Sequence, residues 1–173
     1  MLERLPIIDI APFLSLDPAD AVKRTSASAA LHFACIEYGF FYLDIRAFVD
    51  PAEPEELTRF AREFFALPED EKNRLSLKNE DYARGVSSYS TTVYTYLICN
   101  AFFKSGYARL KENVTNGKAD NHEGIDFYKP VANPDKTKPI WGENQWPTVP
   151  GFRAKFEIWI EKMKQLGLIV MEA

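Results

Sequence analysis

Histidine and cysteine are scarce in this chain, two of each among 173 residues, and that scarcity excludes more chemistry than any motif supplies. Cys35 and Cys99 make neither a disulfide framework nor a zinc-ligand spacing, so a reduced, cytoplasmic setting is the expectation. No apolar run approaches the ~20 residues that span a bilayer, and the first residues lack the charged-then-apolar order of a secretory signal. A net charge of −4 gives no electrostatic reason to expect nucleic acid or an anionic membrane as partner. The few glycines form no Walker loop and no dinucleotide fingerprint. No internal repeat is visible.

The chain has ample material for a core. Apolar residues make up 46% of it and aromatic residues 14%, enough for one domain. Ile7 to Ile10 reads as a short strand between Pro6 and Pro12. Asp17 followed by Pro18 predicts a helix start, and Leu31, Ala34, Cys35 and Tyr38 share one face of that helix. Gly39 ends it, and Phe40 to Ile45 reads as a strand covered on both faces. The result is a β-α-β opening.

A second helix begins near Pro54, with Leu57, Phe60, Ala61 and Phe64 on its inner face. Leu67-Pro68 breaks it, and Glu69, Asp70 and Glu71 start another where the helix dipole favours acids. Residues 120–146 read as loop. A last helix starts near Pro150-Gly151 and carries Phe152, Phe156, Trp159, Met163 and Leu166 on one stripe. Two destinations are open for that stripe: the first helix of this chain, or a further domain after residue 173. The second is favoured here.

Pro6-Ile7-Ile8-Asp9-Ile10, Tyr38-Gly39-Phe40-Phe41-Tyr42-Leu43 and Phe64-Phe65-Ala66-Leu67-Pro68-Glu69-Asp70-Glu71-Lys72 follow one another in this order. Together they resemble the N-terminal domain of the iron(II)/2-oxoglutarate-dependent dioxygenases of the isopenicillin N synthase type. Further on come Asn121-His122-Glu123-Gly124-Ile125-Asp126-Phe127-Tyr128, and Asn144-Gln145-Trp146-Pro147 before Pro150-Gly151-Phe152-Arg153; these later phrases look most like fungal members. The resemblance implies an α+β, helix-rich domain over residues 1–173 with a few short strands. In the family such a domain flanks a double-stranded β-helix, a jelly roll that is absent or only begun here. It also implies iron(II), 2-oxoglutarate and a small-molecule substrate for a full-length member, and leaves oligomeric state open.

The family's ligands are a His-x-Asp pair and a distant His, with an Arg-x-Ser pair for the 2-oxoglutarate carboxylate. Two imidazoles and one carboxylate on one face of iron leave three positions open. His32 is followed two residues later by Ala34, and His122 by Gly124, so neither begins His-x-Asp. Arg74-Leu75-Ser76 carries the letters of the last motif, but lies upstream of His122 in a charged helical stretch and reads as coincidence. Glu53, Glu55 and Glu56 read as a solvated helix start, and the sequon Asn113-Val114-Thr115 as chance. No catalytic, metal-binding or cofactor-binding residue is therefore expected in this chain, which should not turn over alone. A stand-alone binding or regulatory module, docking through Trp159 and Met163, is the alternative.

Residues 86–106 stand apart. Val86 to Phe103 contains no charged residue, although both flanks are dense in charge. The family phrase Arg-Gly-Tyr is split here, between Arg84-Gly85 and Tyr107, and removing Val86 to Gly106 restores it. The block reads as an intron retained in frame, with a family-variable loop or hairpin as the other reading. Val93 to Phe103 is uncharged, proline-free and β-prone, an aggregation liability where exposed. By resemblance alone, Arg84 and Tyr107 are candidates for side chains at the substrate entrance.

Overall fold

Proline and glycine punctuate the architecture much as the spacing predicts. A computed structural model describes residues 4–15, 17–76, 106–112, 114–135 and 141–173. It resolves into two compact units, residues 1–59 with 154–173, and residues 60–153. Among the described residues there are four α-helices, small two-stranded sheets and no closed barrel, an α+β arrangement.

In the first unit, strand β1 (Ile7–Asp9) pairs in parallel with β2 (Tyr42–Asp44), in the register Ile7 with Tyr42, Ile8 with Leu43 and Asp9 with Asp44. Helix α1 (Ala21–Glu37) connects them. Asp17 does act as a cap, accepting from the Ala19 N–H at 2.8 Å. What it caps is a 3-10 turn, Pro18–Asp20, and the α-helix proper starts one turn later than expected. The Arg24 guanidinium then ties down the connection by donating to the carbonyls of Pro12, Ser15 and Asp17. At the other end, Tyr38 and Gly39 both donate to the Ala34 carbonyl, and Gly39 has φ +74°, where a side chain would be strained. Ile8, Ile10, Ala34, Val49 and Leu166 form the buried centre.

Two expectations need correcting. The strand is only Tyr42–Asp44, and it is not covered on both faces: Phe40 and Tyr42 are exposed, as is Ile7 in register with Tyr42. Parallel sheets are normally sandwiched, so a parallel pair with one bare face is unusual. Cys35, expected on the inner face of α1, is exposed instead, while Leu31 and Tyr38 are half-buried and Ala34 is fully buried.

Helix α2 (Ala52–Phe65) starts two residues before Pro54 because Asp50 caps it. The Asp50 carboxylate accepts from Ala52, and the Glu53 carboxylate reaches back to the Asp50 N–H at 3.0 Å, a reciprocal capping box. Glu53 and Glu56 pair with Lys162 and Lys155 of helix α4 (Phe152–Glu172), so the acidic start is not merely solvated. The α4 stripe is covered too. Phe156, Trp159 and Met163 are half-buried and Leu166 is buried, while the Ala173 carbonyl accepts from the Ser28 hydroxyl of α1. The exposed apolar residues of α4 are Ile158, Ile160, Leu168 and Met171.

The second unit is built on an aromatic cluster. Phe64 packs edge-on against Phe65, Tyr107 and Phe152, with ring centroids 4.9, 5.9 and 6.0 Å away. Phe127 stacks on Trp146 at 4.0 Å. Short helix α3 (Glu69–Asn73) follows Pro68. Strand β3 (Gly106–Ala108) pairs antiparallel with β6 (Gly124–Asp126). Between them, β4 (Val114–Thr115) and β5 (Lys118–Ala119) form a hairpin whose turn, Asn116-Gly117, has positive φ at both residues. Asn144 then pairs with the backbone of Tyr128 in both directions, giving the irregular stretch a strand-like partner. No described helix is long and apolar enough to cross a membrane.

Candidate functional site

The most concentrated polar chemistry of the second unit lies under that aromatic cluster. Lys72 comes from α3, Tyr107 from β3, and Glu123 from the residue before β6. The Tyr107 hydroxyl donates to Glu123 Oε2 at 2.7 Å, and Lys72 Nζ donates to the same oxygen at 2.9 Å. Lys72 also donates to the Phe65 carbonyl at 3.1 Å and lies 5.4 Å from the Tyr107 ring centroid. Tyr107 is 2% exposed and Lys72 is buried, so water competes little for these bonds. From its sequence context Lys72 looked like one more charge in a solvated helix start; nothing near it in sequence announces Glu123, which lies 51 positions away.

The proton affinities follow from the contacts. Burial by itself raises the Glu123 carboxyl, but the hydrogen bonds from Tyr107 and Lys72 outweigh it and the net shift is downward. Burial raises the Tyr107 phenol, and Glu123 raises it further. Burial pulls the Lys72 ammonium down, yet Glu123 and Tyr107 together more than restore it. A carboxylate held ionised and a phenol held neutral both oppose proton transfer near pH 7. This trio is a clasp, suited to holding shape.

Tyr107, expected at a substrate entrance, thus has its hydroxyl engaged inside the protein. Arg84, its companion, lies outside the described residues, as do Cys99, Asn113 and residues 86–105. Within Arg74-Leu75-Ser76, Ser76 is buried and its carbonyl accepts from the Gln145 amide. His32 is exposed on α1. The His122 ring packs 3.0 Å from where a Cβ on Gly124 would sit. Among the described residues no group of three or more His, Cys, Asp or Glu side chains could hold a metal ion. The family's ligand set has no counterpart there. In the first unit a cavity of about 70 Å3 lies between α2 and α4, lined by Glu53, Glu56, Leu57, Lys155, Ile158 and Trp159. Ligand sites for drug-sized molecules are ~300 Å3 or more, so it suits water rather than substrate.

Residues 5–149 match the family model described as non-haem dioxygenase in morphine synthesis N-terminal. The chain belongs to the non-haem dioxygenase N-terminal family. It is similar to a homoarginine-6-hydroxylase of Oryza sativa subsp. japonica, 29% identical over 96% of this chain and 47% of the relative. A homoarginine-6-hydroxylase of Glycine max is 30% identical over 96% and 46%. A 2-oxoglutarate-dependent dioxygenase of Dothideomycetidae sp. (strain 11243) is 25% identical over 96% and 39%. The chain therefore spans less than half the length of these curated relatives, and relates to their N-terminal domains.

Proposed function

We propose that this chain is the N-terminal part of an iron(II)/2-oxoglutarate-dependent oxygenase acting on a small molecule, and that it does not turn over alone. The observation that carries the reading is the family match over residues 5–149, in relatives more than half of whose length lies beyond the matched region. In such enzymes dioxygen would be the oxidant, taking two electrons as 2-oxoglutarate loses carbon dioxide to give succinate and two more from the substrate, with iron(II) supplying the redox centre. On this reading the metal and 2-oxoglutarate are held by the part of such enzymes that lies outside the matched region, which is more than half of each relative.

The surface of the first unit supports this division. Ile7, Phe33, Ile36, Phe40 and Tyr42 are each more than half exposed. Phe33 and Ile36 are three apart on α1, Phe40 follows the Gly39 stop, and Ile7 and Tyr42 are register partners on the parallel pair. We assign these two sets to contact with the catalytic half. A separate docking module acting through Trp159 and Met163 is disfavoured, because both are half-buried within the chain. The genomic continuation provides the test. A downstream His-x-Asp, a distal His and an Arg-x-Ser in one reading frame are expected, whereas a stop codon after residue 173 in an abundant transcript would favour a free-standing module.

A further inference from the structure

We propose that, in this chain by itself, the exposed face of helix α1 pairs antiparallel with the same face of a second copy. The inner face of α1 is engaged within the first unit. Ala34 is fully buried, Ala27, Ser28 and Leu31 are half-buried, and the Ser28 hydroxyl donates to the Ala173 carbonyl at 2.6 Å. At about 100° per residue, Val22, Ser26, Ala29, Phe33 and Ile36 fall on the opposite side. All five are exposed, Val22 by 80%, Phe33 by 56% and Ile36 by 66%. A helix covered on one face ordinarily carries charge on the other. Here residues 25–36 contain no Asp, Glu, Lys or Arg. Steps of four, three, four and three are the spacing of a helix-to-helix seam, so the surface fits a helix.

The stripe is complementary to itself in one direction only. An antiparallel pair with Ala29 on the two-fold axis sets Phe33 beside the small Ser26 of the second copy, and Ile36 beside its Val22. Ala29 at the axis lets the two backbones approach closely. A parallel pair would place Phe33 on Phe33 and Ser26 on Ser26, splaying one end and leaving a void at the other. Charge agrees with the antiparallel choice. Lys23 and Glu37 are exposed at opposite ends of the helix, on the same side of the stripe, so the two-fold brings each to the other twice. Lys23 holds Asp20 at 2.9 Å with its side chain 70% exposed, and has further donors to extend to Glu37. One seam of about 20 Å lies at the low end of the interface scale, so the dimer is weak and reversible. Phe33 and Ile36 are also assigned to contact with the catalytic half. The pairing rests on that reading, because the second copy takes the place of that half.

Sedimentation velocity of the full chain over a dilution series reads the association. A reversible monomer–dimer equilibrium with a micromolar dissociation constant is expected. Ala29→Arg sets two cations face to face at the axis and should weaken the dimer at least tenfold, roughly. Its circular dichroism should be unchanged, because position 29 is exposed and arginine is a good helix former. Lys23→Glu should weaken the dimer about threefold, and adding Glu37→Lys should restore it, a recovery that damage to the fold would not produce. A chain that is monomeric at every concentration overturns the pairing. So does an association indifferent to Ala29→Arg, or a charge swap that restores nothing. Those outcomes leave the oxygenase reading standing, which the genomic continuation tests separately.

Discussion

Replacing Glu123 by alanine should destabilise the protein by about 3 kcal/mol, and the structure says where that figure comes from. Two donors converge on Glu123 Oε2. Removing the acceptor leaves the Tyr107 hydroxyl, in a side chain 2% exposed, without its partner, which costs about 1–2 kcal/mol. It also leaves the Lys72 ammonium with the Phe65 carbonyl. A fully buried orphaned charge costs about 3–5 kcal/mol and an exposed pair contributes about 0–1. With the Glu123 side chain 30% exposed, this pair falls between the two, at about 1.5 kcal/mol. Glu123→Gln keeps an acceptor for Tyr107 and loses only the charge, so it should cost about 1 kcal/mol.

Urea unfolding followed by tryptophan fluorescence measures both, and a double-mutant cycle with Lys72→Met isolates the pair, with an expected coupling of about 1–2 kcal/mol. The pH profile adds an independent check. The folded Glu123 carboxyl lies below its ordinary value, so its contribution is present above about pH 4.3 and lost as pH falls through the lowered value. Lys72 and Tyr107 are raised, so theirs are present below about pH 10 and lost as pH rises through the raised values. Glu123→Gln should flatten the acid limb. A Glu123→Ala variant within about 0.5 kcal/mol of the parent, or a coupling of zero, would refute the clasp.

Phe64→Ala should cost about 4 kcal/mol, because Phe64 is fully buried among Phe65, Tyr107 and Phe152; chemical denaturation reads it. Asp50→Ala should cost about 1 kcal/mol by opening the capping box of α2, seen as a fall in Tm of roughly 3 °C.

The local grammar of the fold was legible. Pro6, Gly39, Pro68 and Gly151 bound elements where expected, and the Phe60/Phe64 spacing names the face of α2 that is buried. Matters that depend on distant partners were not. The run Phe40 to Ile45 reads as doubly covered because its apolar content is high, yet what covers a strand comes from elsewhere in a protein. The α4 stripe reads as open because no partner element follows it in the sequence, but Phe156, Trp159 and Met163 are half-buried and Phe152 and Leu166 buried. Lys72, Tyr107 and Glu123 are unremarkable letters one by one; only the β3–β6 register and the Pro68 turn bring them together. The Asn116-Gly117 turn, by contrast, carries a local hairpin signal readable in the sequence.

The most direct measurement is anaerobic calorimetric titration of iron(II) into this chain with 2-oxoglutarate present. An N-terminal part whose chemistry resides in another half gives no saturable, stoichiometric heat. Tight one-to-one iron binding that is abolished by His122→Ala would contradict it.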